Sequence, residues 1–265
     1  MNNNYSSEKE KKRPLVSIVT STFNSEKTIR KTMESVLNQT YPRIEYIIAD
    51  GDSHDNTLNI VGEYTELFRE KGYTLQVITG KDTGIYAGMN KGIKQASGEI
   101  IGIVNSDDFY EKSIVSSAVN AYLKTNFDLL YSYLNIVDKN EKVLRVKKAR
   151  RMQHFYTTRN WNHPTMFVPK RIYDVRMYDE QFQYYGDWEF VLWVFKHYSN
   201  IVVLKKPLSN FRLGGITTHQ NLKILNKKFI ERFRGYRGNG YSPLYVFECV
   251  FMDYGKETVM RILGK

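Results

Sequence analysis

The 265 residues are 42% apolar, 25% charged and 14% aromatic, which suits one large domain with a buried core and excludes a disordered, collagenous or coiled-coil chain. The formal net charge of +11 is unevenly placed: residues 1–141 carry a net −3, residues 142–204 a net +6 and residues 205–265 a net +8. The single cysteine, Cys249, excludes an internal disulfide framework or a cysteine-based zinc site, and a buried thiol in a reducing cytosol is the expectation.

The chain opens on MNNNYSSEKEKKRP, which has no apolar stretch of the secretory kind and is expected to be a disordered tail over residues 1–13. Leu15–Thr22 (LVSIVTST) reads as a buried strand, and Asn24-Ser25 as the cap of a helix over Glu26–Gln39 that ends before Tyr41-Pro42. Ile44–Ala49 is a second strand, Asp50–Asn56 a polar turn, Thr57–Lys71 a helix and Thr74–Thr79 a third strand. A loop over Gly80–Gly84 leads to a helix at Ile85–Ala96 and a fourth strand, Ile100–Val104, that ends at Asn105-Ser106-Asp107-Asp108. A helix follows near Glu111–Leu123. Asp128–Val137 and Lys142–Lys147 read as a hairpin, Pro164–Val168 and Ile201–Leu204 as strands, and Asp187–His197 as a helix with Asp187 at its start. Leu222–Arg234 reads as a basic helix and Pro243–Leu263 as a terminal amphipathic one.

Strands alternating with helices imply βαβ units and a mostly parallel sheet covered on both faces. Ligands of such sheets bind beyond the carboxyl ends of the strands. The polar clusters Thr20–Asn24, Asp50–Asp55, Lys81–Asp82 and Asn105–Asp108 all fall at those ends. Asp107 and Asp108 are adjacent acids, which repel unless a cation or strong donor compensates them. Paired carboxylates beside phosphate oxygens suit Mg²⁺ or Mn²⁺. Asp50 closes the second strand, where a carboxylate can accept from the N–H of a base. Asp187 stands at a helix N-terminus, which favours negative charge, and a carboxylate so placed can serve as a general base.

Eight stretches then carry a resemblance: VSIVTSTFN at 16–24, LNQTYP at 37–42, DGDSHDNT at 50–57, DTGIYAGMNKGI at 82–93, SGEIIGIVNSDDFY at 97–110, NHPTMFVPK at 162–170, YYGDWEFVLWV at 184–194 and FRLGGIT at 211–217. In this order they resemble the inverting, nucleotide-sugar-dependent glycosyltransferases of family 2, which have the A-type fold. The resemblance implies a Rossmann-like sheet with helices on both faces and a C-terminal helical extension. It implies a catalytic domain over residues 14–218, with a nucleotide-binding half (14–110) and an acceptor half (111–218), followed by basic amphipathic helices over 219–265. Thr20, Ser21, Phe23, Asn24, Asp50, Lys81, Asp82, Asn105, Ser106 and Asp107 would bind the nucleotide-diphosphate sugar donor. Phe23 would lie on the base where the family usually has tyrosine. Asn105 replaces the first acid of the family's metal motif, which leaves Asp107 and Asp108 to share the metal and the ribose. Asp187 matches the catalytic base, Phe211–Gly215 a loop over the diphosphate, and His163 lies near the acceptor side.

The expectation is therefore a cytoplasmic enzyme of cell-surface polysaccharide synthesis, peripheral on the plasma membrane, that transfers a sugar to a polyprenyl-diphosphate-linked glycan. Lys147, Lys148, Arg150, Arg151, Lys223, Lys227, Lys228, Arg232, Arg234 and Arg237 would face an anionic membrane surface, joined by Tyr241, Tyr245, Phe247 and Phe251. A polyprenyl-phosphate sugar synthase and a non-catalytic nucleotide-sugar-binding relative are the alternatives. The spread of the basic residues and the lack of a recognised motif argue against nucleic acid as a partner.

Overall fold

The computed structural model describes residues 13–214 and 222–255. Nine strands form one sheet: β1 (Val16–Thr22), β2 (Ile44–Asp50), β3 (Thr74–Thr79), β4 (Ile100–Ile103), β5 (Phe109–Tyr110), β6 (Leu129–Val137), β7 (Val143–Lys147), β8 (Phe167–Pro169) and β9 (Ile201–Arg212). Their order is β3-β2-β1-β4-β8-β6-β9-β5, with β7 paired to β6. The strands β3, β2, β1 and β4 are parallel, β8 runs against both β4 and β6, and β9 is parallel to β6. The α/β sheet that the sequence pattern implies is parallel over β3-β2-β1-β4 and mixed beyond β4.

β1 and β2 are buried on both faces, as their β-branched composition requires. Their alternation divides the core in two. Val19 and Ile47 face one cluster, with Met89, Ile93 and Trp188. Ile18 and Ile48 face the other, with Met33, Phe68 and Ile114. The helices that close these layers are α1 (Ile29–Leu37), α2 (Thr57–Glu63), α3 (Thr65–Glu70), α4 (Ile85–Gln95), α5 (Ile114–Thr125), α6 (Lys170–Tyr173) and α7 (Gly186–His197). α8 (Leu222–Gly238) packs on α7, and α9 (Tyr245–Val250) packs on α8 before a π-helical turn at Phe251–Gly255.

Several elements differ from the sequence reading. The helix expected over Thr57–Lys71 is broken at Tyr64, whose ring is buried among the second cluster while the chain changes direction. α1 starts at Ile29 because Ser25, Glu26 and Asn24 are tied instead to the 53–57 turn. The expected strand Pro164–Val168 is a 3₁₀ turn at His163–Thr165 followed by β8. The strand Ile201–Leu204 continues to Arg212, because β6 keeps pairing with it after a bulge that absorbs Lys205 and Lys206. Of the terminal helix, the part after Gly255 lies outside the described residues, as do the tail to residue 12 and the Gly215 end of the 211–215 loop.

The turn into β4 is tight. Ser17 Oγ accepts from Gly98 N at 2.8 Å, and the buried Glu45 carboxylate accepts from Ser97 N and Ser97 Oγ at 2.9 and 2.7 Å. A Cβ on Gly98 would stand 2.6 Å from Ser17 N and 2.8 Å from Leu15 O, both backbone atoms that cannot swing away. Gly98→Ala is therefore expected to destabilise the fold by about 1–3 kcal/mol in urea unfolding; an unchanged midpoint would show that β1 yields at this point.

Candidate active site

The four loops beyond the parallel strands are stitched to one another by short polar side chains. Asn24 adopts a left-handed conformation (φ 48°), which asparagine tolerates better than most residues. Its Oδ1 accepts from His54 N and its N–H donates to Ser53 Oγ, both at 2.9 Å. Ser25 Oγ and Ser106 Oγ lie 2.8 Å apart, joining the first loop to the fourth. Thr32 of α1 donates to the carbonyls of Ser106 and Asp108 at 3.0 and 2.6 Å. Lys91 of α4 donates to the carbonyls of Asp50 and Gly80 at 2.7 Å and pairs with Asp82 at 2.9 Å, holding the second and third loops together.

Among the expected nucleotide-site residues, Ser21, Asp82 and Phe23 sit together. A Cβ on Gly88 would meet Ser21 Oγ at 2.3 Å and Asp82 Oδ2 at 3.0 Å, and one on Gly51 would meet Asp82 Oδ2 at 3.2 Å and Phe23 at 3.6 Å. The Phe23 ring is 58% exposed, an apolar face open to a planar partner. Lys81 is exposed. Two residues are placed differently from their neighbours. Thr20 is fully buried with its hydroxyl 3.0 Å from Tyr46 OH, so it shapes the strand end from inside. The fully buried Asp50 carboxylate accepts from Asp52 N, Ser53 N and Ser53 Oγ at 3.0, 2.9 and 2.5 Å, so its oxygens close the 50–53 turn.

At the end of β4 the acid pair is desolvated. Burial pushes both carboxyls up, Asp108 the more strongly because Asp107 adds its charge; the Arg212 N–H, 3.1 Å from Asp108 Oδ1, opposes this. Asp108 Oδ2 and Asn105 Oδ1 are buried without hydrogen-bond partners. Two orphaned oxygens beside a carboxyl pair that resists ionisation are a donor set suited to a hard divalent cation. No group of three or more His, Cys, Asp or Glu among the described residues surrounds a common point, so such an ion needs further oxygens from a ligand. Asp107, Asp108 and Asn105 fit that role. Arg212, which the sequence reading passed over, comes here through the extension of β9; it also donates to Asp107 O at 3.2 Å and pairs with Glu141.

Asp187 lies in the first turn of α7. Trp188 N and Tyr86 OH both donate to its Oδ1, at 2.7 and 3.0 Å, and no described bond occupies Oδ2. Tyr86, a second residue missed in the sequence, comes from the first turn of α4, the helix whose Gly88 touches Ser21 and Asp82. Gly186 is required beside it, since a Cβ there would stand 2.8 Å from the Tyr86 ring. The approach to α7 is held from outside the sheet: the buried Glu231 carboxylate of α8 accepts from Gln183 N, Tyr184 N and Tyr185 N at 3.0, 2.7 and 3.2 Å. A single glutamate in a basic helix gave no sequence signal for this.

His163 is buried between the Trp161 and Tyr178 rings, with Nε2 unpartnered. Burial holds its imidazole below the ordinary 6.5, while the Asp187 charge pulls upward. With the folded-state pKa depressed, the neutral ring's contribution is intact above 6.5 and is lost as the pH falls through the folded-state value. Between pH 6.5 and the lower folded-state value, the melting temperature should therefore fall more steeply in the native chain than in His163→Gln, and parallel curves would refute the assignment.

The comparisons with known proteins follow this geometry. A β-1,3-glucosyltransferase of Escherichia coli, named for UDP-Glc and GlcNAc-diphosphoundecaprenol, is 32% identical over 130 residues, 49% of each chain. The chain thus spans about half the length of that relative. A Mycobacterium bovis glycosyltransferase of PGL/p-HBAD biosynthesis is 24% identical over 228 residues, 83% of this chain and 84% of its own. In fold, S. aureus TarS 1–349 with UDP-GlcNAc superposes with a TM-score of 0.69 at 20% identity, over 90% of this chain and 73% of that one. The Pyrobaculum calidifontis mannosyltransferase PcManGT, with GDP-Man and Mn²⁺, gives a TM-score of 0.66 at 15% identity, over 89% and 69%. The model of glycosyl transferase family 2 matches residues 17–182, more than half of the sequence and all four strand-end loops, and the chain belongs to that family.

Proposed function

We propose that the chain is an inverting glycosyltransferase that moves a sugar from a nucleotide-diphosphate sugar, a UDP-sugar, to a hydroxyl of a lipid-linked glycan during cell-surface polysaccharide synthesis at the cytoplasmic face of the membrane. The observation that carries this reading is a desolvated acid pair at the end of β4 together with a separate carboxylate, Asp187, that keeps one oxygen open; α4 joins Asp187 to the nucleotide pocket, since its Tyr86 donates to Asp187 and its Gly88 packs on Ser21 and Asp82. The printed donors and acceptor of the relatives support it: UDP-Glc and GlcNAc-diphosphoundecaprenol for the E. coli enzyme, UDP-GlcNAc for TarS.

The catalytic domain would comprise residues 14–218, with the donor in the 14–110 half, the acceptor in the 111–218 half and the helices of 219–265 as an appended layer. Phe23 covers the base, Ser21 and Asp82 line the nucleotide pocket beside it, and Lys81 stands where an anionic diphosphate would meet a cation. Mg²⁺ or Mn²⁺ held by Asp107 and Asp108, with Asn105 Oδ1 beside them, would neutralise the diphosphate as it leaves. Asp187 Oδ2 accepts the proton of the acceptor hydroxyl, whose oxygen forms the new bond at the anomeric carbon as the bond to the diphosphate breaks on the opposite face. Tyr86 OH and Trp188 N fix Oδ1 so that Oδ2 faces the acceptor. The single displacement requires no second carboxylate as nucleophile.

Asp187→Asn is expected to lower turnover by about 10²–10⁴-fold with donor affinity little changed. An unimpaired Asp187→Asn would favour a polyprenyl-phosphate sugar synthase, whose phosphate acceptor has no proton to surrender. The donor site is tested by calorimetric titration of UDP with Mn²⁺ and then with EDTA. The native chain should bind UDP at least tenfold more tightly with the metal, and Asp108→Asn, which keeps an acceptor for Arg212 N–H, should lose that difference without a collapse in melting temperature. Equal affinity in Mn²⁺ and EDTA would remove the metal from the reading.

A further inference from the structure

Seven of the ten basic residues expected at a membrane are exposed, Lys223, Lys227, Arg234 and Arg237 of α8 among them, while Lys147, Lys228 and Arg232 are drawn in. Arg232 is buried, donating to Asp253 Oδ1 at 2.9 Å, to Thr158 Oγ1 at 2.7 Å and to Tyr185 OH. Lys228 is buried against the Tyr184 ring, and Lys147 donates to the carbonyls of Thr158 and Trp161. Tyr241 and Tyr245, half-buried, pack against Tyr236 of the first core cluster, with ring centroids 6.0 and 4.2 Å away. Lys228 and Arg232 thus build the interior of the C-terminal layer and are unavailable to a membrane, whereas Lys147, Tyr241 and Tyr245 are half-buried.

Also at the surface is a groove of about 640 Å³ between the 154–159 segment and α9. Phe155, Leu244, Phe247 and Phe251 line it and are 58, 69, 70 and 57% exposed. So many large apolar side chains contiguous on one face mark an interaction surface. Arg159 stands at its rim with the guanidinium 5.1 Å from the Phe251 ring centroid, and none of the described ion pairs includes it. His154 lines the same rim.

The chemistry of the walls selects the occupant. Their polar groups are few and mostly turned inward: Thr157 and Glu248 are buried and joined at 2.9 Å, while the Tyr245 and Ser242 hydroxyls accept from Tyr156 N and Leu244 N at 3.1 and 3.2 Å. A peptide backbone laid in the groove would find few partners for its N–H and C=O groups, and burying them unpaired is unfavourable. Hydrocarbon needs none. An apolar floor under a cation that lies along an aromatic ring is the arrangement by which arginine keeps its head among phosphates while its stem is covered. We infer that this groove is a docking surface for an anionic phospholipid bilayer, with Phe155, Leu244, Phe247 and Phe251 entering the interface and Arg159 meeting headgroup phosphate. The inference rests on the proposed lipid-linked acceptor for its purpose, since it brings the donor site to the surface where such an acceptor lies.

The full chain is sedimented with vesicles of phosphatidylcholine alone and of phosphatidylcholine with phosphatidylglycerol. The native chain should pellet with the anionic vesicles, less so as ionic strength rises, and the double variant Phe247→Ser, Phe251→Ser should lose at least tenfold in partitioning. Arg159→Gln should reduce the preference for anionic over neutral vesicles. Leu244→Ser serves as the second variant if the double one melts early. Titration of UDP into each variant keeps the two readings apart: loss of vesicle binding with intact UDP binding concerns the groove alone, and loss of UDP binding in the native chain concerns the donor site. Equal recovery of the native chain in both supernatants overturns the inference. So does vesicle binding that the variants retain. A concentration-dependent dimer that the variants abolish, without vesicle binding, would assign the groove to a second copy instead.

Discussion

One carboxylate ties the two ends of the molecule together. Glu231 accepts three consecutive backbone N–H groups from residues 183–185, immediately before Gly186 and Asp187. A loop leading into a helix has donors with no partner of their own, and a buried charged acceptor satisfies several of them at once. Arg232, the next residue, reaches Tyr185 from the same turn of α8 and binds Asp253 beyond α9. The start of α7 is therefore set by two neighbouring side chains of opposite charge that belong to the C-terminal layer. Without that layer, nothing described here would fix the approach to the Asp187 turn from outside the sheet, so the extension is part of the site it covers.

The opposite end of the site depends on a different imbalance. Asp107 and Asp108 are adjacent and desolvated, and the compensation available within the chain is modest: the Arg212 N–H, its side chain nearby and the Asn105 amide. Raised carboxyl pKa values mean that the protein alone does not hold two negative charges there comfortably. Replacement of an acid by Asn105 lowers the repulsion while retaining an oxygen that points to no partner. A cation arriving with phosphate oxygens would resolve the conflict for all three residues. The same reasoning explains why Thr32 and Ser25 grip the loop from α1 and its leading turn: a segment that must wait with unpaired oxygens needs its backbone held by something else.

The parallel half was legible because its signals are local. β-branched runs gave β1, β2 and β4, and the polar clusters after them gave the loops, since strand-end placement follows from the βαβ pattern alone. Roles within those loops were less legible. Asp50 and Thr20 lie at the right strand ends, yet one turns its oxygens into its own turn and the other hides its hydroxyl against Tyr46. Sequence position fixes where a side chain starts, whereas its direction depends on which backbone donors happen to be unpaired nearby. Tyr86 and Arg212 lie inside the 82–93 and 211–217 stretches but were not singled out there, and Glu231 had no legible signal at all: they reach the site across 101, 104 and at least 46 residues of chain, through packing rather than spacing. The break at Tyr64 and the extension of β9 fail for the same reason, being decided by burial and by a partner strand.

Charge was the signal most easily overread. A net +8 over residues 205–265 suggested an outward basic face, but burial redirects part of it. Arg232 is held by Asp253 and Glu248, and Lys228 lies on Tyr184. Arg234 pairs with Asp179, and Lys196 donates to Asn239 O. Of the described acids of that layer, Glu248 and Asp253 are drawn inward to meet the buried Arg232, because an unpaired buried charge is far more costly than an unpaired exposed one. The cations so consumed are those nearest the Asp187 helix. What is left outside includes, besides exposed cations such as Lys223, Lys227 and Arg237, a patch of carbon at Phe155, Leu244, Phe247 and Phe251, with Arg159 at its edge. The proposed docking of this half thus rests first on its exposed apolar surface, with net charge in a secondary role.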